Sequence, residues 1–254
     1  MSVLNRISNF IYGSSCLGCG FYTEKLDPWL CPSCKEELIN FGKEPRFFNE
    51  NVVSLFELNA LTRRLVYALK YQHMPGLAGY LVRHSAFKTG NEVQYWFKNL
   101  NKPLLFVPVP LHSSRYRERG YNQTEKIAYA MAAETQGRVF RGLYRNSFRE
   151  SQTKLSGKER KNNVAGAFYL KKTAPEDKIY VVVDDVYTTG STTKACEYAL
   201  CEKKQLEVKI CTLLYEKKAS ASLDLVADSK VEWKSNGGRG TRTPKPYGGG
   251  FQDR

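Results

Sequence analysis

The chain has 254 residues, 42% of them apolar and 25% charged. This is the balance of a globular protein with room for one large domain and a small accessory module. Its longest apolar stretch, around Leu104–Leu111, is broken by prolines and too short to span a bilayer, and no signal-peptide apolar region follows the basic start. These features predict a cytoplasmic protein whose seven cysteines serve as metal ligands, thiols or core residues rather than disulfides. The net charge of +14 is concentrated in residues 101–172, which carry 15 basic and 5 acidic groups. That excess suits a polyanionic partner, and its arginines suit phosphate oxygens through their forked donors.

Residues 1–45 read as a separate module. Cys16, Cys19, Cys31 and Cys34 form two C-x2-C knuckles, a spacing that lets four thiolates close a tetrahedral shell around structural zinc, with no open position for catalysis. An α/β domain is expected over 46–218. Val52–Leu58 reads as a strand. Leu61, Leu65, Val66 and Leu69 recur at helical spacing, and Leu77–Phe87 reads as a second helix. Leu104–Val109 has the continuous apolar character of a buried parallel strand. A helix is predicted over Thr124–Thr135, a short strand over Ala167–Leu170, a strand over Ile179–Val183, a helix over Ser191–Lys203 and a last strand over Leu206–Leu214. Strands alternating with helices predict a parallel sheet flanked by helices. Residues 219–254 form a C-terminal extension, whose end from Ser235 is rich in glycine and proline and poor in large apolar residues, a composition expected to be disordered.

The most informative segment runs from Ile179 to Thr193. A buried strand leads into adjacent acids, Asp184 and Asp185, then into a loop of Thr188, Thr189, Gly190, Ser191 and Thr192 that opens a helix. Ligands of open α/β sheets bind beyond the carboxyl ends of strands, so the acids are expected there, where paired carboxylates accept hydrogen bonds from a diol. The loop can offer N–H groups and hydroxyls to a phosphate. No Walker loop is present, and the only G-x-G triplets lack the strand–helix context of a dinucleotide site.

This segment closely resembles the phosphoribosyl pyrophosphate motif of type I phosphoribosyltransferases. The resemblance implies that Asp184 and Asp185 are the catalytic pair on the ribose hydroxyls, that Thr188, Thr189, Gly190, Ser191 and Thr192 hold the 5′-phosphate, and that Mg²⁺ enters with the pyrophosphate. Val109 and Pro110 match the loop that lies at the pyrophosphate in that family. Further motifs, in order, are similar to the ComF family of late competence proteins: the four cysteines, Leu69-Lys-Tyr71, Leu105–Leu111 with Arg115–Gln123, Gln152–Leu155 and Arg160–Phe168. That resemblance implies a type I phosphoribosyltransferase-like domain behind a zinc-ribbon-like module. It also implies a part in natural transformation, in which single-stranded DNA is passed inward beside a competence helicase at the inner face of the membrane. Arg115, Arg117 and Arg119 alternate with Tyr116 and precede Tyr121, the composition of a single-strand groove in which arginines track phosphates and aromatics stack on bases. Lys154 and Arg160 are the further expected phosphate contacts. The alternative is an active phosphoribosyltransferase, for which the sequence shows no acceptor-base pocket.

Overall fold

The computed structural model describes residues 14–87, 92–98, 100–146, 166–171, 173–202 and 204–217. The chain opens on a two-stranded ribbon, β1 (Ser14–Ser15) and β2 (Tyr22–Thr23), and helix α1 (Pro32–Phe41). The main sheet then collects β3 (Arg46–Asn49), β4 (Val52–Glu57), β5 (Leu104–Pro108) and β6 (Arg138–Val139). A second ribbon, β7 (Leu143–Arg145) and β8 (Phe168–Leu170), precedes the two longest strands, β9 (Ile179–Tyr187) and β10 (Glu207–Tyr215). Helices α2 (Ala60–Tyr71), α3 (Gly76–Arg83), α4 (Glu92–Lys98), α5 (Ser113–Arg119), α6 (Gln123–Thr135) and α7 (Ser191–Cys201) connect them.

The six strands lie in the order β3-β4-β10-β9-β5-β6. All neighbours pair in parallel except β3, which runs antiparallel to β4 at the edge. Helices cover both faces, and the strand sequences show why. Along β9, Ile179, Val181 and Val183 pack with α2, α3 and α6 through Leu65, Leu69, Leu77 and Ile127. The intervening Tyr180 and Val182 pack against α7 through Ala195, Cys196 and Ala199. A strand buried on both sides needs apolar residues at consecutive positions, and each fully buried leucine or valine contributes about 1.5–3 kcal/mol. The result is a mostly parallel sheet flanked by helices on both faces, as expected.

The cysteine module shares this core, since Leu30 and Leu38 belong to the same buried cluster as Leu61 and Leu65. Cys196 and Cys211 are fully buried, as small apolar residues. Helix α3 stops at Arg83 instead of reaching Phe87. The His84 N–H is shared between the Tyr80 and Leu81 carbonyls, and the Ser85 hydroxyl donates to the Val82 carbonyl at 2.6 Å, which turns the chain out of the helix. Strand β9 is longer than expected, because its ladder with β10 continues past Val183, with Thr212 opposite Asp184 and Tyr215 opposite Tyr187. Both acids therefore stand inside the strand rather than beyond it. The extension at 219–254, together with Lys154, Arg160 and the Gln152–Leu155 motif, lies outside the described residues.

Candidate functional site

Consecutive side chains leave a strand by opposite faces, so two adjacent acids inside β9 separate. Asp185 turns towards α2 and α6. Its Oδ2 lies 2.9 Å from Lys70 Nζ and accepts from Gln123 Nε2 at 2.7 Å. Gln123 Oε1 in turn accepts from Arg119 Nη1 at 2.8 Å. The Arg119 guanidinium lies 4.9 Å from the centre of the Tyr71 ring, and its Nη2 reaches the Tyr71 hydroxyl at 3.3 Å. Asp185 and Arg119 are 7% and 6% exposed, so the network is internal from Arg119 to Asp185, with Tyr71 at its exposed end. The expected side-by-side diol clamp is not what these two acids form.

Asp184 takes the other direction. It is half-buried and lines a small cleft with Val186, Tyr187, Thr188, Gly190, Ser191, Thr192 and Thr193. Burial pushes its carboxyl up, with the charge of Asp185 adding to the effect. The Asp185 backbone N–H, donating to Asp184 Oδ1 at 2.9 Å, and the cations Lys70 and Arg145 oppose it, leaving the carboxyl well above the usual carboxylate range. Gly190 closes the loop at φ +71°, and a Cβ there would stand 2.5 Å from the Tyr187 hydroxyl, so this turn requires glycine. Helix α7 starts at the next residue. Its first N–H groups have no intrahelical acceptor and point towards the cleft mouth with the positive end of the helix dipole. Thr189 Oγ1 lies 2.8 Å from Ser191 Oγ, while Thr193 is turned inward to donate to the Gly190 carbonyl at 3.0 Å. The cleft thus joins one carboxyl to a hydroxyl-rich, N–H-rich loop, a set that can accept from a sugar hydroxyl and donate to a phosphate. Val109 and Pro110 follow β5 beside the end of β9 but do not line the cleft. The Val109 carbonyl is already occupied by Asn122 Nδ2 at 3.0 Å and Thr124 Oγ1 at 2.7 Å, bonds that seat the start of α6.

The alternating arginines fall on α5, where positions two apart lie on different faces of a helix. Arg115 is exposed and paired with Glu118 at 3.0 Å. Arg117 is exposed, whereas Arg119 is buried in the Asp185 network. Tyr116 is exposed. Tyr121 is half-buried, and its hydroxyl donates to the Leu69 carbonyl. The expected single row of arginines and stacking tyrosines is therefore split, with Arg119 and Tyr121 turned to internal work.

The four cysteines do converge. Their Sγ atoms all lie within 4.8 Å of one another, and Cys19 and Cys31 are 3.9 Å apart. Zinc–thiolate bonds of about 2.3 Å in a tetrahedron put sulfurs about 3.8 Å apart, so the set fits one ion. The Gly18 and Cys31 N–H groups donate to Cys16 Sγ at 3.3 and 3.2 Å. Burial pushes that thiol up, yet backbone donors of Cys31, Cys19 and Gly18 outweigh it and bring it down to about 7. Cys34 sits one turn into α1, which starts with Pro32 at its first position, where a missing N–H costs nothing.

No family model matches the chain. Competence protein ComFC of Streptococcus pneumoniae is 28% identical over 116 residues, 44% of this chain and 49% of that protein. DNA utilization protein YhgH of Salmonella typhi is 27% identical over 206 residues, 79% of each. The chain is similar to these competence and DNA utilization proteins. It spans about half the length of the first ComFC relative. Among solved structures, orotate phosphoribosyltransferase of Aeropyrum pernix shares 15% identity, with 76% of this chain and 87% of that chain covered and a TM-score of 0.34. The sequence alone did not single out Lys70, Gln123 and Tyr71 beside the acid pair. Their only signal was position inside two of the motifs, Leu69-Lys-Tyr71 and Arg115–Gln123, because Asp185, the partner of Lys70 and Gln123, and Arg119, the partner of Tyr71, are remote from them in sequence.

Proposed function

We propose that this chain is a member of the ComF family that serves DNA uptake by handling single-stranded DNA, and that its cleft takes phosphoribosyl pyrophosphate with Mg²⁺. The observation that carries the ligand reading is the cleft itself, with Asp184 facing the Thr188–Thr192 loop at the start of α7. A ribose hydroxyl suits the carboxylate and a 5′-phosphate suits the loop. Mg²⁺ would arrive on pyrophosphate oxygens with few protein ligands. The DNA reading is supported by the relatives' names and by the basic excess in 101–172. No helix among the described residues is long and apolar enough to cross a membrane, so a place at the inner face beside a competence helicase would rest on a docking contact.

A two-ligand titration tests this. Calorimetry with phosphoribosyl pyrophosphate and Mg²⁺ is expected to show one site, lost when Thr189, Ser191 and Thr192 are all changed to alanine. Fluorescence anisotropy with a labelled oligothymidylate is expected to show binding whose logarithm falls linearly with log salt, because phosphate contacts release counterions. Absence of heat in the first overturns the ligand reading; absent or salt-insensitive binding in the second overturns the DNA reading. The four cysteines are proposed to hold structural zinc: elemental analysis should find one equivalent per chain, and Cys34→Ser should remove it and lower the thermal midpoint.

A further inference from the structure

We infer that the exposed face of α2, centred on Tyr67 and Tyr71, is a stacking platform for unpaired nucleobases. The inference rests on the single-strand reading above and assigns its base contacts to a helix outside the α5 motif. Leu61, Leu65, Val66, Ala68 and Leu69 of α2 are buried. Tyr67 and Tyr71, one turn apart, are left 56% and 43% exposed with ring centroids 5.0 Å apart and planes 43° from parallel. Two large rings bare side by side form a surface that flat aromatic ligands cover well.

The second ring is also held still. Arg119 lies 4.9 Å from its centre and reaches its hydroxyl, and Arg119 is itself fixed by Gln123. A ring immobilised before binding loses little entropy when a base stacks on it. The charge around the pair selects the occupant. Helix α2 carries Arg63, Arg64 and Lys70 and no acid. Lys70 is paired with Asp185, and Arg64 donates to the Gly18 carbonyl of the cysteine module. Arg63 stands exposed one turn before Tyr67 with no ion pair among the described residues. An aromatic pair beside a cation with no ion pair among the described residues, on an acid-free helix, is complementary to a strand carrying bases and phosphates together. Tyr121 is less open to a base, since it is half-buried against the end of α2 with its hydroxyl donating to the Leu69 carbonyl.

The test uses the full chain and anisotropy with a labelled oligothymidylate and an abasic strand of equal length. Tyr67 makes only a ring contact, so Tyr67→Ala is the clean variant; Tyr71 is left intact because it supports Arg119. Tyr67→Ala is expected to weaken binding about 10-fold, and Tyr67→Phe by no more than about twofold. The salt slope should stay unchanged in both, whereas Arg63→Ala should reduce it by about one. On the abasic strand, wild type and Tyr67→Ala should bind alike. Unchanged affinity of Tyr67→Ala in a chain that binds DNA overturns the platform alone, as does an equal loss on the abasic strand. Failure of the wild-type chain to bind any strand overturns the single-strand reading, and the platform with it.

Discussion

Replacing Lys70 with methionine is expected to lower the stability of the chain by about 3 kcal/mol, since breaking a buried pair from one side strands the remaining charge. Asp185 is that charge, with its side chain 9% exposed and, among the described residues, only the Gln123 side chain left to donate to it. The reverse change, Asp185→Asn, is expected to cost nearer to 1 kcal/mol. Lys70 is 20% exposed at its side chain, so its ammonium can extend into water along a flexible stem, and an asparagine can keep the bond to Gln123. For a chain of this size about 2–4 °C of thermal midpoint accompanies each kcal/mol. The order Lys70→Met below Asp185→Asn should therefore be plain in a melting series as well as in urea. The double variant should lose less than the sum of the two, with a coupling of about 1–3 kcal/mol. A Lys70→Met chain within about 0.5 kcal/mol of wild type would mean that water already screens the pair.

The pair matters beyond stability because of where α2 sits. Near its start, Arg64 donates to the Gly18 carbonyl, and a Cβ on Gly18 would press on Cys34 Sγ and Leu61 Cδ1 at 2.8 and 2.9 Å. Near its end, Lys70 meets Asp185 on β9. One helix thus braces the cysteine module at one end and the acid strand at the other. Asn59 and Thr62 fix its start by a reciprocal cap, at 2.9 Å in each direction, a bond pair contributing about 1 kcal/mol. The module thus packs into the same core as the helix whose far end carries Lys70.

The parts legible in the sequence were those decided by local pattern. Consecutive β-branched residues at Val181–Val183 announce a strand covered on both faces, and Leu61, Leu65 and Leu69 announce the inward face of α2. The cysteine spacing announces convergence of the four sulfurs. What was not legible depended on partners distant in the chain. Nothing around Asp184 and Asp185 shows that β10 runs alongside them, and without that ladder a strand would end at two charges. Arg115, Arg117 and Arg119 looked equivalent until α5 distributed them around a helix and Gln123 drew Arg119 inside. Tyr67 carries no motif at all. Its exposure is visible only once the other faces of α2 are seen to be filled.

The separation of the two acids leads to an opposite expectation for Asp184, in which removal of a site residue stabilises the fold. Its carboxyl is pushed up from the ordinary 3.8 to about 7, first by burial and then by the charge of Asp185. A carboxyl raised in the folded state contributes most favourably while it is protonated in both states, and this is lost as pH rises from the unfolded value through the folded one. Above about 7 the fold therefore carries an ionised group it would rather keep neutral. Asp184→Asn removes that ionisation, so its thermal midpoint should exceed that of wild type by several degrees at about pH 8, narrowing to no difference near pH 4. The same substitution replaces the carboxylate proposed to accept a sugar hydroxyl and should abolish heat from phosphoribosyl pyrophosphate. Gain of stability with loss of binding, both following the same pH window, is what a strained functional carboxyl predicts. A midpoint lowered equally at all pH values would instead make Asp184 a structural residue, held for its bond to the Asp185 N–H rather than for a ligand.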